Sequence, residues 1–549
     1  QIIEIATNVT DAGGVAIVYA NLTLPNGSAE LLNLSNSSGA PDKFNISYTI
    51  PNLAGNYNVT ILANDTSNNL NNTETTNFTV KIGCGTITAS VILDQNVYST
   101  GTCFTTGADH IEIDGAGYKL QGDGTNYGIY INQNSNVTIK NFARIDNFTF
   151  GIYANNFAPT IMNQIRNNTI GENITTSGAG IGLANVSNYN ITNNSITISV
   201  SNTDAIAIFN QSLMDKVENI TIENNIINVT ASGDEAITVL SSNNILIFNN
   251  SIYLSAASGN GINVNFGSVN ISENTLVGSS TATNVIKISS NNLNATVSNN
   301  NITVSGSPTG ILIDGNYTTA NRNIITAYGT GNCLKITGQH GNYLSNNCNL
   351  SASGPSPAST RQGVLISGGK NNTLQSNDFY SNGTYAYPVL IFFGASDNRL
   401  ISNNITAIKS ASPALLISAT GGVPADNVFQ NNTIYSPMSA SIYDLSGLST
   451  TNVLSYYNNF GEINWTRNNL TTSNVQIGIG TNVYLENNLV GLADNIGLAN
   501  LNVSAEIKIN NLAYIIPPNL LKNGQRCDAG DECNISYDAS SGILIANVS

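Results

Sequence analysis

The side chains of this chain best suited to chemistry are acidic residues at one recurrent position. Asp204 precedes the stretch Ala205-Ile206-Ala207-Ile208, and Glu235 precedes Ala236-Ile237. If the two stretches hold equivalent places on adjacent repeats, the carboxyl groups stack about 5 Å apart. At that distance one negative charge raises the pKa of the other, so that one group keeps its proton while the other ionises. A pair of this kind can do general acid–base work. Asp234 adds oxygens for a hard cation, but calcium takes six or more, and the sequence does not supply them. The blander reading makes these carboxylates solvated corner residues, as it does Asp314 before Gly315-Asn316. The composition favours that reading. Only 9% of residues are charged, and they are scattered. His110 and His340 lie many repeats apart, so neither a triad nor a zinc site can form. Copper prefers His, Met or Cys, and the chain has 2 His and 3 Met. No cofactor and no metal is expected, and structural calcium has no support.

The elements that must hold these groups are written as a repeat. An apolar residue, two variable residues, Asn, one residue and a second apolar residue recur, as in Ile165…Asn168…Ile170, Ile191…Asn194…Ile196 and Ile222…Asn225…Ile227. The phrase returns around Asn250, Asn274, Asn300, Asn377, Asn403, Asn432 and Asn488. Neighbouring copies fall roughly 24 to 31 residues apart, the period of a solenoid. In step with it runs a small residue followed by apolar, any, apolar, as in Gly128-Ile129-Tyr130-Ile131 and Gly180-Ile181-Gly182-Leu183. Alternation with period two means a strand with one buried face. One turn cannot bury that face, but stacked turns can. About fifteen coils would form a rod roughly 70 Å long.

The recurrent Asn has a structural task. It tolerates the left-handed backbone of a tight corner, and its amide both donates and accepts. Asn168, Asn194, Asn225, Asn250, Asn274, Asn300, Asn377, Asn403, Asn432 and Asn488 are therefore expected to form a hydrogen-bonded ladder from coil to coil.

Residues from about 84 to 500 resemble the right-handed parallel β-helix repeats of the pectate-lyase-like superfamily. The segment His110-Ile111-Glu112-Ile113-Asp114-Gly115-Ala116-Gly117-Tyr118-Lys119-Leu120-Gln121-Gly122 resembles the first coil of secreted archaeal and bacterial members. The resemblance implies fold more than function, since this fold hosts lyases, hydrolases, phage tailspikes, adhesins and surface-layer proteins. Lyases of the fold use Arg or Lys as base with calcium-binding acids, and hydrolases use clustered Asp. Neither set is evident here. Trp465 is the single Trp and lies inside a glycosylation sequon. The densest aromatic run is Tyr380, Tyr385, Tyr387, Phe392 and Phe393, a carbohydrate or subunit contact or merely core and corner stacking.

The ends differ in rhythm. Residues 1–82 contain six or seven alternating stretches separated by turns such as Pro25-Asn26-Gly27, which predicts an antiparallel sandwich. Gly55-Asn56-Tyr57-Asn58-Val59-Thr60-Ile61 resembles the late strands of immunoglobulin-like modules in secreted prokaryotic proteins, where a Tyr-centred corner pins the strand. Residues 501–549 suggest a small β-rich cap, because a bare solenoid end exposes unpaired strand edges. The expected fold is thus all-β: an Ig-like sandwich (1–82), a right-handed parallel β-helix (83–500) and a C-terminal cap or assembly segment (501–549).

Thirty-five Asn-X-Ser/Thr sequons point to a heavily N-glycosylated surface. The expected glycan sites are Asn8, Asn21, Asn45, Asn58, Asn64, Asn136, Asn147, Asn167, Asn193, Asn219, Asn249, Asn270, Asn316, Asn371, Asn382, Asn404, Asn431, Asn464, Asn502 and Asn534. No ladder Asn begins a sequon, while immediate neighbours such as Asn167, Asn193, Asn249, Asn404 and Asn431 do. The six Cys fall into local pairs, Cys84/Cys103, Cys333/Cys348 and Cys527/Cys533, expected as disulfides in an oxidising compartment. Without Met at position 1 or a signal-like leader, the chain reads as a processed form. No apolar run is long enough to span a bilayer, and a net charge of −15 argues against nucleic acid. The expected protein is an extracellular, self-assembling structural subunit of a cell-surface filament, sheath or surface layer, and not an enzyme. Its partners would be copies of itself, or surface carbohydrate. The alternative is a carbohydrate-active enzyme or carbohydrate-binding adhesin of the same fold.

Overall fold

The computed structural model describes residues 2–548 apart from 52, 158–160, 172–173, 175–177, 210–216, 241, 256–258, 280–282, 293, 352–360, 448–450, 467–468, 502 and 528–532. From Gly85 onward each repeat gives one strand to each of three sheets, making a right-handed parallel β-solenoid. Sheet 1 has 15 strands, from Gly85–Ile87 to Ile442–Asp444. Sheet 2 starts at Val91–Ile92 and stays parallel to Val453–Tyr457. Sheet 3 has 14 strands, from Val97–Tyr98 to Thr433–Tyr435. The apolar alternation of the sequence fixes the register. Ile181 pairs with Ile206, Ile206 with Ile237 and Ile237 with Ile262, and all four are buried. Fully burying each such side chain contributes roughly 2 kcal/mol, and the stacked rows form one continuous core from Ile82 to Ala505. The small residue before each row is forced by the neighbouring coil: a Cβ at Gly180 would lie 2.7 Å from the Ala205 carbonyl oxygen.

Between sheets 2 and 3 the corner is short and polar. Asn194 donates its backbone N–H and Nδ2 to Oδ1 of Asn225 at 2.9 and 3.0 Å, and Nδ2 also donates to the Ile165 carbonyl at 2.9 Å. The pattern repeats from Asn168 through Asn194, Asn225, Asn250, Asn274 and Asn300. It continues through Asn323, Asn346, Asn377 and Asn403 to Asn432. Asn323 and Asn346 are additions to the expected set. Asn488 is a correction: it is exposed, at the turn joining the antiparallel strands Val483–Glu486 and Leu489–Leu492. The reason for Asn at the corner is also corrected. The left-handed backbone belongs to the residue before each ladder Asn, for example Asn167 (φ 56°), Glu273 (57°), Arg322 (51°) and Ser402 (52°). The ladder Asn is selected for its amide rather than for its backbone. A second Asn row, Asn372, Asn398, Asn427 and Asn452, bonds in the same way at the corner from sheet 1 to sheet 2.

Residues 2–80 form a seven-stranded antiparallel sheet in the order Ile2–Asn8, Ala40–Thr49, Ala29–Ser37, Val15–Thr23, Gly55–Asp65 and Leu70–Asn71, with Thr75–Val80 also on Gly55–Asp65. It wraps its own core, which includes Val18, Leu22 and Tyr57. The buried Tyr57 hydroxyl donates to the Leu53 carbonyl at 2.8 Å. At the far end, Gly461–Thr466, Ala505–Ile509, Ile543–Val548 and Cys533–Asp538 continue sheet 2 in antiparallel pairing. Trp465 is fully buried there, and its Nε1 donates to the Leu501 carbonyl at 2.9 Å. The disulfides are Cys84–Cys103, Cys333–Cys348 and Cys527–Cys533. The first joins two successive coils and the second closes across one coil.

Candidate functional site on the outer side of sheet 1

Asp204 opens the strand Asp204–Phe209 of sheet 1. Its register partner on the preceding coil is Ala179, and Glu235 stands beside it on the next. The Ala205 N–H donates to the Glu235 carbonyl at 3.0 Å, and the Glu235 N–H donates to Asp204 Oδ1 at 3.2 Å. The following coils place Asn260 and Asn284 in the same column. Asn260 Nδ2 donates to Glu235 Oε1 at 3.1 Å, and Asn284 Nδ2 donates to Asn260 Oδ1 at 2.9 Å. Burial and the Glu235 charge push the Asp204 carboxyl up to about 7. Asp234 is fully buried. Its Oδ1 accepts the Thr203 N–H at 2.7 Å, while Oδ2 has no partner. Burial raises it to about 6. Asn263, in the column beside Glu235 and Asn260, also keeps its Oδ1 buried without a partner. Two acids that titrate near neutrality thus lie among unanswered acceptors.

The same outer column runs the other way through Ala179 to Phe150 and Tyr127. Here four rings pack together. Tyr127 stacks on Tyr153 with centroids 4.6 Å apart, Phe150 meets Tyr153 at 4.7 Å, and Tyr127 meets Tyr130 at 5.4 Å. Gly182 seats them, because a Cβ there would lie 2.5 Å from Phe150 and 3.0 Å from Tyr153. Phe150 is two coils from Asp204, about 10 Å. The sequence analysis did not single out this cluster. Its signal was the aromatic residue just before Gly128 and Gly151, the position that Asp204 and Glu235 hold further along. The run expected to be densest yields a close ring pair only at Phe392–Phe393, 5.2 Å apart, among the described residues.

The other candidates stay apart. Asn136 Nδ2 donates to His110 Nδ1 at 2.8 Å, while His340 stacks on Tyr317 at 5.0 Å. Asp314 accepts a hydrogen bond from the Thr337 hydroxyl. No cluster of three or more metal-ligating side chains occurs among the described residues, and among them no helix is long and apolar enough to cross a membrane. A groove of about 790 Å³ lies in the N-terminal sheet, lined mainly by aliphatic and Thr side chains. Its lining includes Glu4 and Glu74, and Glu4 is held in an ion pair by Lys43 at 2.7 Å.

Of the expected glycan sites, Asn8, Asn58, Asn167, Asn193, Asn219, Asn249, Asn270, Asn371, Asn382, Asn404 and Asn534 are exposed. Asn21, Asn45, Asn64, Asn136, Asn147, Asn316, Asn431 and Asn464 are half-buried, and Asn502 lies outside the described residues. Asn431 is the least available of the ladder neighbours, because the Tyr457 backbone holds both ends of its amide at 3.1 and 2.7 Å. Asn228, Asn301, Asn349 and Asn404, on the outer side of sheet 3, each begin a sequon. Asn260, Asn263 and Asn284, beside the carboxylates on sheet 1, begin none.

No family model matches the chain, and no curated relative matches it. Solved structures similar to it include the tailspike of E. coli bacteriophage HK620 in complex with a pentasaccharide, at 10% identity over 85% of this chain and 80% of that one, TM-score 0.38. The A-module of an Azotobacter vinelandii mannuronan C-5 epimerase matches at 14% identity over 63% and 81%, TM-score 0.34. A Yersinia enterocolitica family 28 exopolygalacturonase matches at 10% over 72% and 96%, TM-score 0.29. The last two are enzymes, so the fold does not exclude enzymatic activity, and the expectation that the chain is not an enzyme is corrected to that extent. That expectation rested on scattered charges, and the fold brings Asp204 and Glu235 together at sheet 1.

Proposed function

We propose that the protein acts on an extracellular polysaccharide laid along the outer side of sheet 1, with Asp204 as proton donor and Glu235 as its charged partner. The observation that carries this reading is the carboxylate pair beside the ring cluster in one outer column. Pyranose rings present apolar faces that stack on aromatic rings, and the rings lie about two sugar-sized steps from the acids. An acid that keeps its proton near pH 7 can protonate a leaving glycosidic oxygen while a water adds to the anomeric carbon and gives its proton to the adjacent carboxylate. Asn260 holds Glu235 through its amide, leaving Asp204 to exchange the proton. The absence of sequons on Asn260, Asn263 and Asn284 keeps the protein's own glycans off these positions.

Three disulfides and the density of sequons support an extracellular, N-glycosylated protein. The Tyr57–Leu53 corner supports an Ig-like reading of the N-terminal sheet. The test is incubation with a panel of neutral and acidic polysaccharides, following new chain ends. Wild type should cleave at least one member. Asp204→Asn and Glu235→Gln should each lose at least 100-fold in rate while still binding it. Equal rates in wild type and both variants would overturn the assignment.

A further inference from the structure

Two surfaces at opposite ends of the molecule are unfinished. Among the described residues Ile2–Asn8 pairs only with Ala40–Thr49, and Thr75–Val80 only with Gly55–Asp65. Each therefore has a free edge. The two strands face each other across the N-terminal groove of about 790 Å³, whose apolar lining includes Ile3, Ile5, Ile50, Phe78 and Val80. A strand-sized apolar slot between two unpaired edges is a template for strand addition.

At the other end, residues 513–517 (Ala-Tyr-Ile-Ile-Pro) run exposed and outside any strand. Ile515 is 94% exposed and Ile516 73%. The Tyr537 hydroxyl donates to the Tyr514 carbonyl at 2.6 Å, which fastens the start of the segment and leaves both isoleucines projecting. Two adjacent exposed isoleucines cost solubility unless something covers them.

We propose that residues 513–517 of one copy enter the groove between Ile2–Asn8 and Thr75–Val80 of the next, joining copies head to tail. The dimensions agree. Five residues, once extended, span about 17 Å, within the length of the seven-residue and six-residue edges. Pro517 has no N–H and ends the pairing on that side. The chain cannot satisfy itself, because the solenoid separates segment from groove by about 60 Å. A contact between two different patches that does not close on itself generates a linear polymer. This proposal does not depend on the carbohydrate reading, since the outer side of sheet 1 takes no part in it.

The test uses the full chain. Sedimentation velocity over a concentration series should show growing end-to-end species. Ile515→Asp/Ile516→Asp should remain monomeric with an unchanged circular dichroism spectrum. The double variant still presents its groove, so a labelled synthetic peptide of residues 511–519 should bind it saturably. A photo-crosslinker at the peptide's Tyr514 position should label Ile2–Asn8 or Thr75–Val80. Saturable binding with that labelling supports the proposal even where polymers dissociate on dilution. A monomeric wild type that ignores the peptide, polymers unaffected by the double variant, or crosslinks elsewhere would each overturn it.

Discussion

Two polar columns run along the same solenoid and follow the same register, yet they differ in one respect. At the corner between sheets 2 and 3 every coil from Asn168 to Asn432 repeats the same residue, and each amide is answered by the next. On the outer side of sheet 1 the column changes from Tyr127 and Phe150 through Ala179 to Asp204, Glu235, Asn260 and Asn284. Beside it Asp234 Oδ2 and Asn263 Oδ1 are unanswered, and it holds Asp204, whose carboxyl burial and the Glu235 charge push up to about 7. Identical repetition closes the hydrogen bonds of the protein on itself. Broken repetition leaves groups over for a ligand.

The comparison is broken most severely by touching the closed column. Asn274→Ala would strand the Asn250 N–H, which now donates to Asn274 Oδ1, and the Ile247 carbonyl, which now accepts from Asn274 Nδ2, and would take from Asn250 Nδ2 one of its three acceptors. The expected loss is about 3 kcal/mol of stability, read as a lower midpoint in denaturant unfolding at unchanged slope. A loss below about 0.5 kcal/mol would mean that the ladder does not hold the corner.

The open column should respond in the opposite direction. Folding raises the Asp204 pKa from 3.8 to about 7, so between these values the folded state binds more protons than the unfolded one. Stability therefore falls as pH rises from about 4 to about 7 and stays reduced above. Asp204→Asn removes that loss. The variant should equal wild type at pH 4 and be the more stable of the two at pH 8, while losing the activity. Thermal unfolding at the two pH values checks the sign.

Smaller effects should separate the ring cluster from the carboxylates. Tyr127→Ala/Tyr130→Ala should weaken polysaccharide binding about tenfold and leave the pH dependence of stability unaltered. Calorimetric titration with the best substrate of the inactive Asp204→Asn form reads this directly. The smallest effect belongs to the exposed sequons. Asn249→Gln should remove one glycan and change stability by less than about 0.5 kcal/mol. Peptide mapping of the native protein should find glycan at Asn167, Asn193 and Asn249, and none on any ladder Asn.

The closed column was the more legible of the two, because repetition is itself a sequence signal. Asn323 and Asn346 were missed where the flanking apolar slots hold Ala320, Tyr343 and Cys348 instead of the aliphatic residues of the pattern. Asn488 was a false match, since Leu485 and Val490 reproduce the spacing inside a hairpin. The left-handed residue before each ladder Asn takes many types, from Asn to Glu273 and Arg322, so nothing in composition marks it. In the open column the equivalence of Asp204 and Glu235 was visible from their common place before the apolar stretch. The raised pKa depends on burial that one strand cannot reveal. The rings of Tyr127, Tyr130, Phe150 and Tyr153 are spread over more than one coil and meet only when coils stack.

The most direct test of the open column is titration of the Asp204 carboxyl itself, by carbon-detected NMR of protein labelled at Asp and Glu side chains, with Asp204→Asn to assign the signal. A midpoint near pH 7 that moves down when Glu235 is replaced by Gln is the predicted result. A midpoint near 4, or one indifferent to Glu235, would show two ordinary corner acids and contradict the account.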